Sequence, residues 1–129
     1  MGFLVFPGID EPIGLVPGHS PVEGISRVLM LTNGAMPGRS FHVAAHFVSA
    51  DYRPTADWQF TEPHAHPFDE VNLLLPAGDC LRYRYEVEGR RHEISGPCSV
   101  FLSAGTPHRM EPIEGQGIFV CIQLNQASR

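Results

Sequence analysis

His64, His66, Glu70 and His108 are the residues of this chain whose types and spacing suit metal chemistry. In the run His64-Ala-His66-Pro-Phe-Asp-Glu70 the two histidines stand at i and i+2, so in a β-strand both imidazoles leave the same face. A carboxylate four residues on, and a third imidazole from a distant strand, would complete a facial set of N and O donors. Neutral imidazole and carboxylate together suit a divalent transition metal. Asp69 rivals Glu70 as the carboxylate, because neighbours in a strand face opposite ways and only one of them can join the histidines.

Such residues need a scaffold of short strands, and the punctuation of the chain supplies one. Thirteen Gly and twelve Pro interrupt it every few residues, and no segment sustains a helical apolar stripe. Residues 1–24 carry eight of these breaks from Pro7 to Gly24 and read as an extended arm, with a short strand near Phe3 to Phe6. Residues 25–129 read as one barrel domain. Its strands are expected at Ile25–Thr32, Ser40–Ser49, Trp58–Pro63, Glu70–Leu75, Leu81–Glu88, Arg90–Ser95, Ser99–Leu102 and Gly117–Leu124. Asn33-Gly34, reinforced by Pro37-Gly38, signals a turn after the first of these, and Glu88-Gly89 signals a tight hairpin. Many short strands between turn signals indicate an all-β sandwich or barrel.

Composition narrows the partners. At 129 residues the chain is long enough for one core without staples, and 43% hydrophobic against 18% charged residues favours a folded domain over disorder. A net charge of −5 with no basic run argues against nucleic acid or an anionic membrane as partner. Cys80, Cys98 and Cys121 cannot all pair and show no CxxC spacing, so they read as reduced core residues of a cytoplasmic protein. The N-terminus lacks the basic start and long apolar run of a signal peptide, and no stretch is long enough to span a membrane.

The two histidine blocks resemble the cupin signature. In the first cupin motif HxH is followed after three or four residues by Glu, as in His64, His66 and Glu70, with Gly78 near the position of its closing Gly. In the second, a Pro-x-Gly-x-x-His pattern supplies the last ligand, and here Gly105 and His108 match while Ser103 replaces the Pro. Trp58 stands where the first motif has its leading Gly, and Pro112 where the second ends in Asn. The resemblance covers roughly Gln59 to Leu124 and implies an all-β double-stranded β-helix, or jelly-roll barrel. It implies His64, His66, Glu70 and His108 as ligands, with cupin register favouring Glu70 over Asp69. It also implies a homodimer, for which the N-terminal arm is the natural contact.

Pocket residues expected near the metal are Phe68, Asn72, Tyr83 or Tyr85, Phe101, Met110, Phe119 and Gln123, a mostly apolar lining that suits a small organic substrate. His42 and His46 share one face of their strand and either orient substrate or a ligand imidazole, or simply meet solvent. Arg82 and Arg84, opposite the apolar row of their strand, are expected to meet solvent or a subunit. His92 is expected to be exposed, and His19 in the arm either caps a neighbouring subunit or has no role. The leading functional expectation is an Fe(II)-dependent, dioxygenase-like oxidation of a small carbonyl or aromatic compound, with Glu70 able to leave the metal and take a proton. Lewis-acid isomerase, decarboxylase or lyase chemistry with Mn, Ni or Zn is the second, Cu remaining a possible metal, and a non-catalytic binding protein is the third.

Overall fold

A computed structural model describes residues 2–32, 35 and 41–124, so the expected turns at Asn33-Gly34 and Pro37-Gly38 lie outside the described residues. Among the described residues seven strands form one antiparallel sheet: β1 (Ile9–Asp10), β2 (Ile25–Leu31), β3 (Phe41–Val48), β4 (Asp69–Val87), β5 (Arg90–Ser95), β6 (Cys98–Leu102) and β7 (His108–Leu124). Their order is β1-β2-β3-β7-β4-β5, with β6 also paired to β4. The fold is all-β, as expected. The β4–β5 connection turns at Glu88 and Gly89, with φ of 52° and 78°, the left-handed pair that a two-residue hairpin requires.

Two elements are longer than the sequence pattern suggests. The strands expected at 70–75 and 81–88 are one strand, β4, and β7 begins at His108 rather than at Gly117. Each follows the other through a bend. The ladder runs from Asp69↔Leu124 to Pro76↔Gly117, breaks register, and resumes from Leu81↔Gly115 to Val87↔His108. Before the bend β4 is flanked by β6, and after it by β5, so the pair passes from one wall of the barrel to the other. Gly115 sits at the bend with φ of 85°, and a Cβ there would lie 2.0 Å from the Cys80 carbonyl oxygen. Only glycine meets both the backbone angle and the close approach.

The expected strand at Trp58–Pro63 does not form, for an electrostatic reason. Its backbone N–H groups are taken by a buried carboxylate instead of a ladder: those of Gln59, Phe60 and Thr61 all donate to Glu111, at 2.9–3.0 Å. Arg84, expected to meet solvent or a subunit, is buried and pairs with Glu111 at 3.0 Å. It also donates to the carbonyls of Thr55, Ala56 and Asp57 and lies over the Trp58 ring. Arg82 does reach the surface, where it bonds Glu93 and Glu114.

The expected strand at Phe3–Phe6 is not formed, and β1 lies further on. The rest of the arm packs on the barrel: Ile13 is buried, Ser20 N–H donates to the Phe60 carbonyl, and His19 bridges Thr61. The core joins Ile13, Ile25, Val48, Tyr52, Phe60, Leu74, Leu81, Tyr83, Tyr85, Leu102, Met110 and Phe119. No helix among the described residues is long and apolar enough to cross a membrane.

Gly115→Ala is expected to destabilise the fold by about 2–4 kcal/mol, combining backbone strain with the clash. Gly78→Ala, at φ of 107° but with nothing within 4 Å of its Cβ, should cost only about 1–2 kcal/mol. Urea melts of the two variants check this, and equal losses would show that the Cys80 contact does not shape the bend.

Candidate metal centre

His64, His66 and His108 meet at one place, with a ligand-capable atom of each within 4.8 Å of the others. His108 opens β7. His64 and His66 lie not on a strand, as the i/i+2 argument assumed, but in an extended segment tied to the start of β7. The backbones of His64 and His108 exchange two hydrogen bonds, of 3.0 and 2.8 Å, and Gly105 N–H donates to the His66 carbonyl at 2.7 Å. The two motifs of the sequence are thus stitched together by main chain before any side chain acts.

Ring orientation is fixed by the far nitrogens. His64 Nδ1 lies 2.8 Å from the Glu62 carbonyl and His108 Nδ1 2.8 Å from that of Thr106. A carbonyl can only accept, so each Nδ1 carries the proton and each Nε2 keeps its lone pair for a ligand. His66 stacks on Phe68, with 4.8 Å between centroids and 8° between planes. Burial lowers the His66 pKa, outweighing the raising effect of Glu70, and leaves the ring neutral and able to ligate.

Glu70 stands beside the triad, its Oε1 3.5 Å from His66 Nε2 and 3.6 Å from His108 Nε2. Neither nitrogen donates a hydrogen bond to the carboxylate, so both imidazole nitrogens and the carboxylate oxygen face the same point with lone pairs to offer. Glu70 Oε1 and His108 Nε2 are both buried without a hydrogen-bond partner. Its other oxygen accepts from Asn72 Nδ2 at 2.8 Å, and Asn72 in turn accepts from the Tyr85 hydroxyl at 2.9 Å. Burial alone would raise the Glu70 pKa, but His108, Asn72 and His66 hold it at about 2. The same carboxylate raises His108 against the lowering effect of burial. Asp69, the rival carboxylate, accepts from the Ala104 N–H at 2.9 Å and so ties down the loop before β7. Three imidazoles with a neighbouring ionised carboxylate, and two orphaned buried acceptor atoms among them, fit a divalent metal ion.

The triad opens into a cavity of about 350 Å³. Phe68, Tyr83, Met110, Phe119 and Gln123 line it. Three expected lining residues do not. Phe101 points outward and is 63% exposed, because it lies on the outer phase of β6. Asn72 and Tyr85 are buried behind Glu70 and support it. His42 and His46 face the cavity, yet they contact neither solvent alone nor the ligand imidazoles. Both meet Arg27, whose Nη1 is 3.0 Å from His46 Nε2 and whose Nη2 is 3.3 Å from His42 Nε2. Glu11 of the arm pairs with Arg27 Nε at 2.5 Å. His92 is exposed, as expected.

Arg27, Glu11 and His19 also line the cavity, where the sequence pattern alone does not place them. The signal for Arg27 was present: it occupies the inward phase of β2, two residues after the core residue Ile25. His19 and Glu11 had no such signal, since the arm has no periodicity to phase them.

The chain has the cupin fold. It superposes on KdgF from Halomonas sp. at 15% identity, with a TM-score of 0.55 over 84% of this chain and 87% of that one. An RmlC-like cupin from Shewanella frigidimarina matches at 15% identity and TM-score 0.58, over 94% and 86% of the two chains. The polyketide cyclase RemF from Streptomyces resistomycificus matches at 18% identity and TM-score 0.58, over 92% and 73%. No protein-family model and no curated protein matches the sequence.

Burial and the adjacent Arg27 lower the His46 pKa to about 3, whereas the unfolded imidazole protonates near 6.5. Between these values the unfolded chain binds a proton that the folded chain refuses, so His46 makes stability fall as pH drops below about 6.5. His46→Gln, which keeps an acceptor toward Arg27, should flatten that part of the profile in denaturant melts. An unchanged slope would place the acid sensitivity elsewhere.

Proposed function

We propose that this protein is a metal-dependent enzyme acting on a small organic compound that carries a carbonyl group, by proton transfer with the metal as Lewis acid. The observation that carries this reading is the convergence of three imidazoles and the unsatisfied, buried Glu70 Oε1 on one cavity that also holds a neutral base. Glu70 is the fourth ligand. Fixed through Asn72, with its Oε1 3.5 and 3.6 Å from the Nε2 atoms of His66 and His108, it serves as a ligand rather than a base, in contrast to the role its type first suggests.

His19 is the better base. Its Nδ1 donates to the Pro17 carbonyl at 3.0 Å, which leaves Nε2 as the ring acceptor, and its ring lies 6.0 Å from that of His64. Burial, ahead of the opposing hydrogen bond to Pro17, lowers its pKa and keeps it neutral at pH 7. A bound divalent ion would polarise a carbonyl oxygen and acidify the neighbouring C–H. His19 Nε2 then accepts the proton and can return it elsewhere on the substrate. Phe60, Phe119 and Tyr83 keep the cavity apolar and limit water. RemF, which shares the fold, is by name a cyclase.

Oxidation of a small carbonyl or aromatic compound with Fe(II) is the second reading, favoured by the donor set itself, since three His and one carboxylate also suit ferrous iron. Elemental analysis of protein purified without chelator or affinity nickel tests both. Near-stoichiometric metal is expected in wild type and in His92→Ala, and none in His66→Ala. His19→Gln should keep the metal and lose turnover by roughly 10²- to 10⁴-fold. Iron together with substrate-dependent O2 uptake would select the oxidative reading. Absence of metal in wild type after anaerobic reconstitution would sink both and leave a binding protein.

The chain is further proposed to be a homodimer joined through the start of the arm. Phe3 (84% exposed), Val5 (73%) and Ile9 (64%), the last in the short edge strand β1, would otherwise stand in water. Removing residues 1–7 spares Glu11, Ile13 and His19 and should yield a monomer by light scattering. An unchanged mass would refute the arm as the interface.

A further inference from the structure

The cavity has two poles. The triad and Glu70 form one, and Arg27 with its three partners forms the other. Arg27 is only 9% exposed, so its charge is expensive to hold unless it has work to do or partners enough. Comparison with the other buried arginine is instructive. The four terminal N–H bonds of Arg84 are engaged, Nη1 by the Thr55 and Ala56 carbonyls and Nη2 by the Asp57 carbonyl and Glu111. Its Nε–H, buried without a partner among the described residues, lies outside this cavity. Arg27 gives one Nη1 N–H to His46 and one Nη2 N–H to His42, and its Nε–H goes to Glu11. One N–H on each terminal nitrogen has no partner among the described residues. Arg84 is a structural cation. Arg27 lines the cavity with two donors to spare.

From this geometry we infer that Arg27 is a carboxylate anchor and that the substrate is a small keto acid, its carboxylate on the free guanidinium N–H groups and its carbonyl toward the histidine triad. This rests on the proposed function for the carbonyl end, while the carboxylate end rests on Arg27 alone. Two donors in the plane of a guanidinium match the two oxygens of a carboxylate. The neighbouring imidazoles favour this use. Burial and Arg27 itself lower the pKa of both His42 and His46, so they accept from Arg27 without adding positive charge that would demand further anions. The charge balance agrees. Arg27 (+1), Glu11 (−1), Glu70 (−1) and a divalent ion (+2) sum to +1, which one carboxylate neutralises. His46 ties the two poles together, because its ring lies 6.1 Å from that of His19, which in turn stands 6.0 Å from His64. Glu11 reaches Arg27 from the arm, so the arm supplies one side of this anchor.

The test is calorimetric binding of acetoacetate, levulinate and 5-oxohexanoate, each against its methyl ester, with metal-loaded and with chelator-stripped protein. At least one acid should bind about 10- to 100-fold more tightly than its ester, the range expected for a charge-assisted contact. The preference should persist without metal and vanish in Arg27→Met. Equal binding of acid and ester, no binding of any acid, or an unchanged preference in Arg27→Met would overturn the assignment. A preference seen only with metal present would do the same, by showing that the carboxylate sits on the ion; the metal reading would then stand while the anchor fell. Should Arg27→Met fail to fold, Glu11→Gln decides: with its competing anion gone Arg27 should bind the acid several-fold more tightly, and an unchanged affinity would refute the anchor.

Discussion

The bend in the β4–β7 pair is the constraint on which the rest of the molecule depends. In the ladder His108 is opposite Val87, and Val87 is seventeen residues along β4 from Glu70 (70 to 87). On a flat ribbon Glu70 and His108 would stand roughly 55 Å apart. They lie 3.6 Å apart, since both strands turn the same corner and the ladder closes on itself around a cavity. Glycine at the corner is therefore a functional requirement as much as a structural one. Curvature, rather than any single contact between side chains, brings the carboxylate of one motif to the histidine of the other.

Buried charge then fixes what curvature leaves loose. The segment before His64 has no ladder to hold it, and Glu111 takes that role by accepting from three successive backbone N–H groups while Arg84 grips the carbonyls just upstream. An ion pair of this kind contributes little net stability relative to apolar packing. Its value is positional: it delivers an irregular stretch of chain to one place with its imidazoles facing inward. The main-chain bonds between His64 and His108 complete the attachment.

Through these constraints the cavity acquires two chemically different ends, an imidazole cluster ready for a cation and a guanidinium ready for an anion, in a lining that also holds Phe60, Tyr83 and Phe119. Histidines serve both ends in different states. At the triad the Nδ1 groups of His64 and His108 are tied to carbonyls and their Nε2 lone pairs face inward. At the other pole His42 and His46 spend their Nε2 lone pairs on Arg27. The same side chain is a donor set for metal in one wall and a neutral cushion for arginine in the other, and which it becomes is decided by its neighbours.

Much of this was legible in the residues. The alternation of Leu81, Tyr83 and Tyr85 placed the core face of β4, the Glu88-Gly89 pair placed the hairpin, and the two histidine motifs named the triad. These are local properties, set by strand pleat, turn angles and donor chemistry over a few residues. The fate of Arg84 and Phe101 was not legible, because the inner and outer sides of a strand depend on what packs against it. Nor was the Trp58–Pro63 segment, whose β-pattern lost to a carboxylate fifty residues away in sequence. Strand pleat, turn residues and donor types along the chain suffice for an all-β fold with metal-ligating side chains in two blocks. That Arg27, Glu11 and His19 share one cavity comes from barrel closure, which joins an unpatterned arm to a distant wall in a meeting that no short-range rule describes.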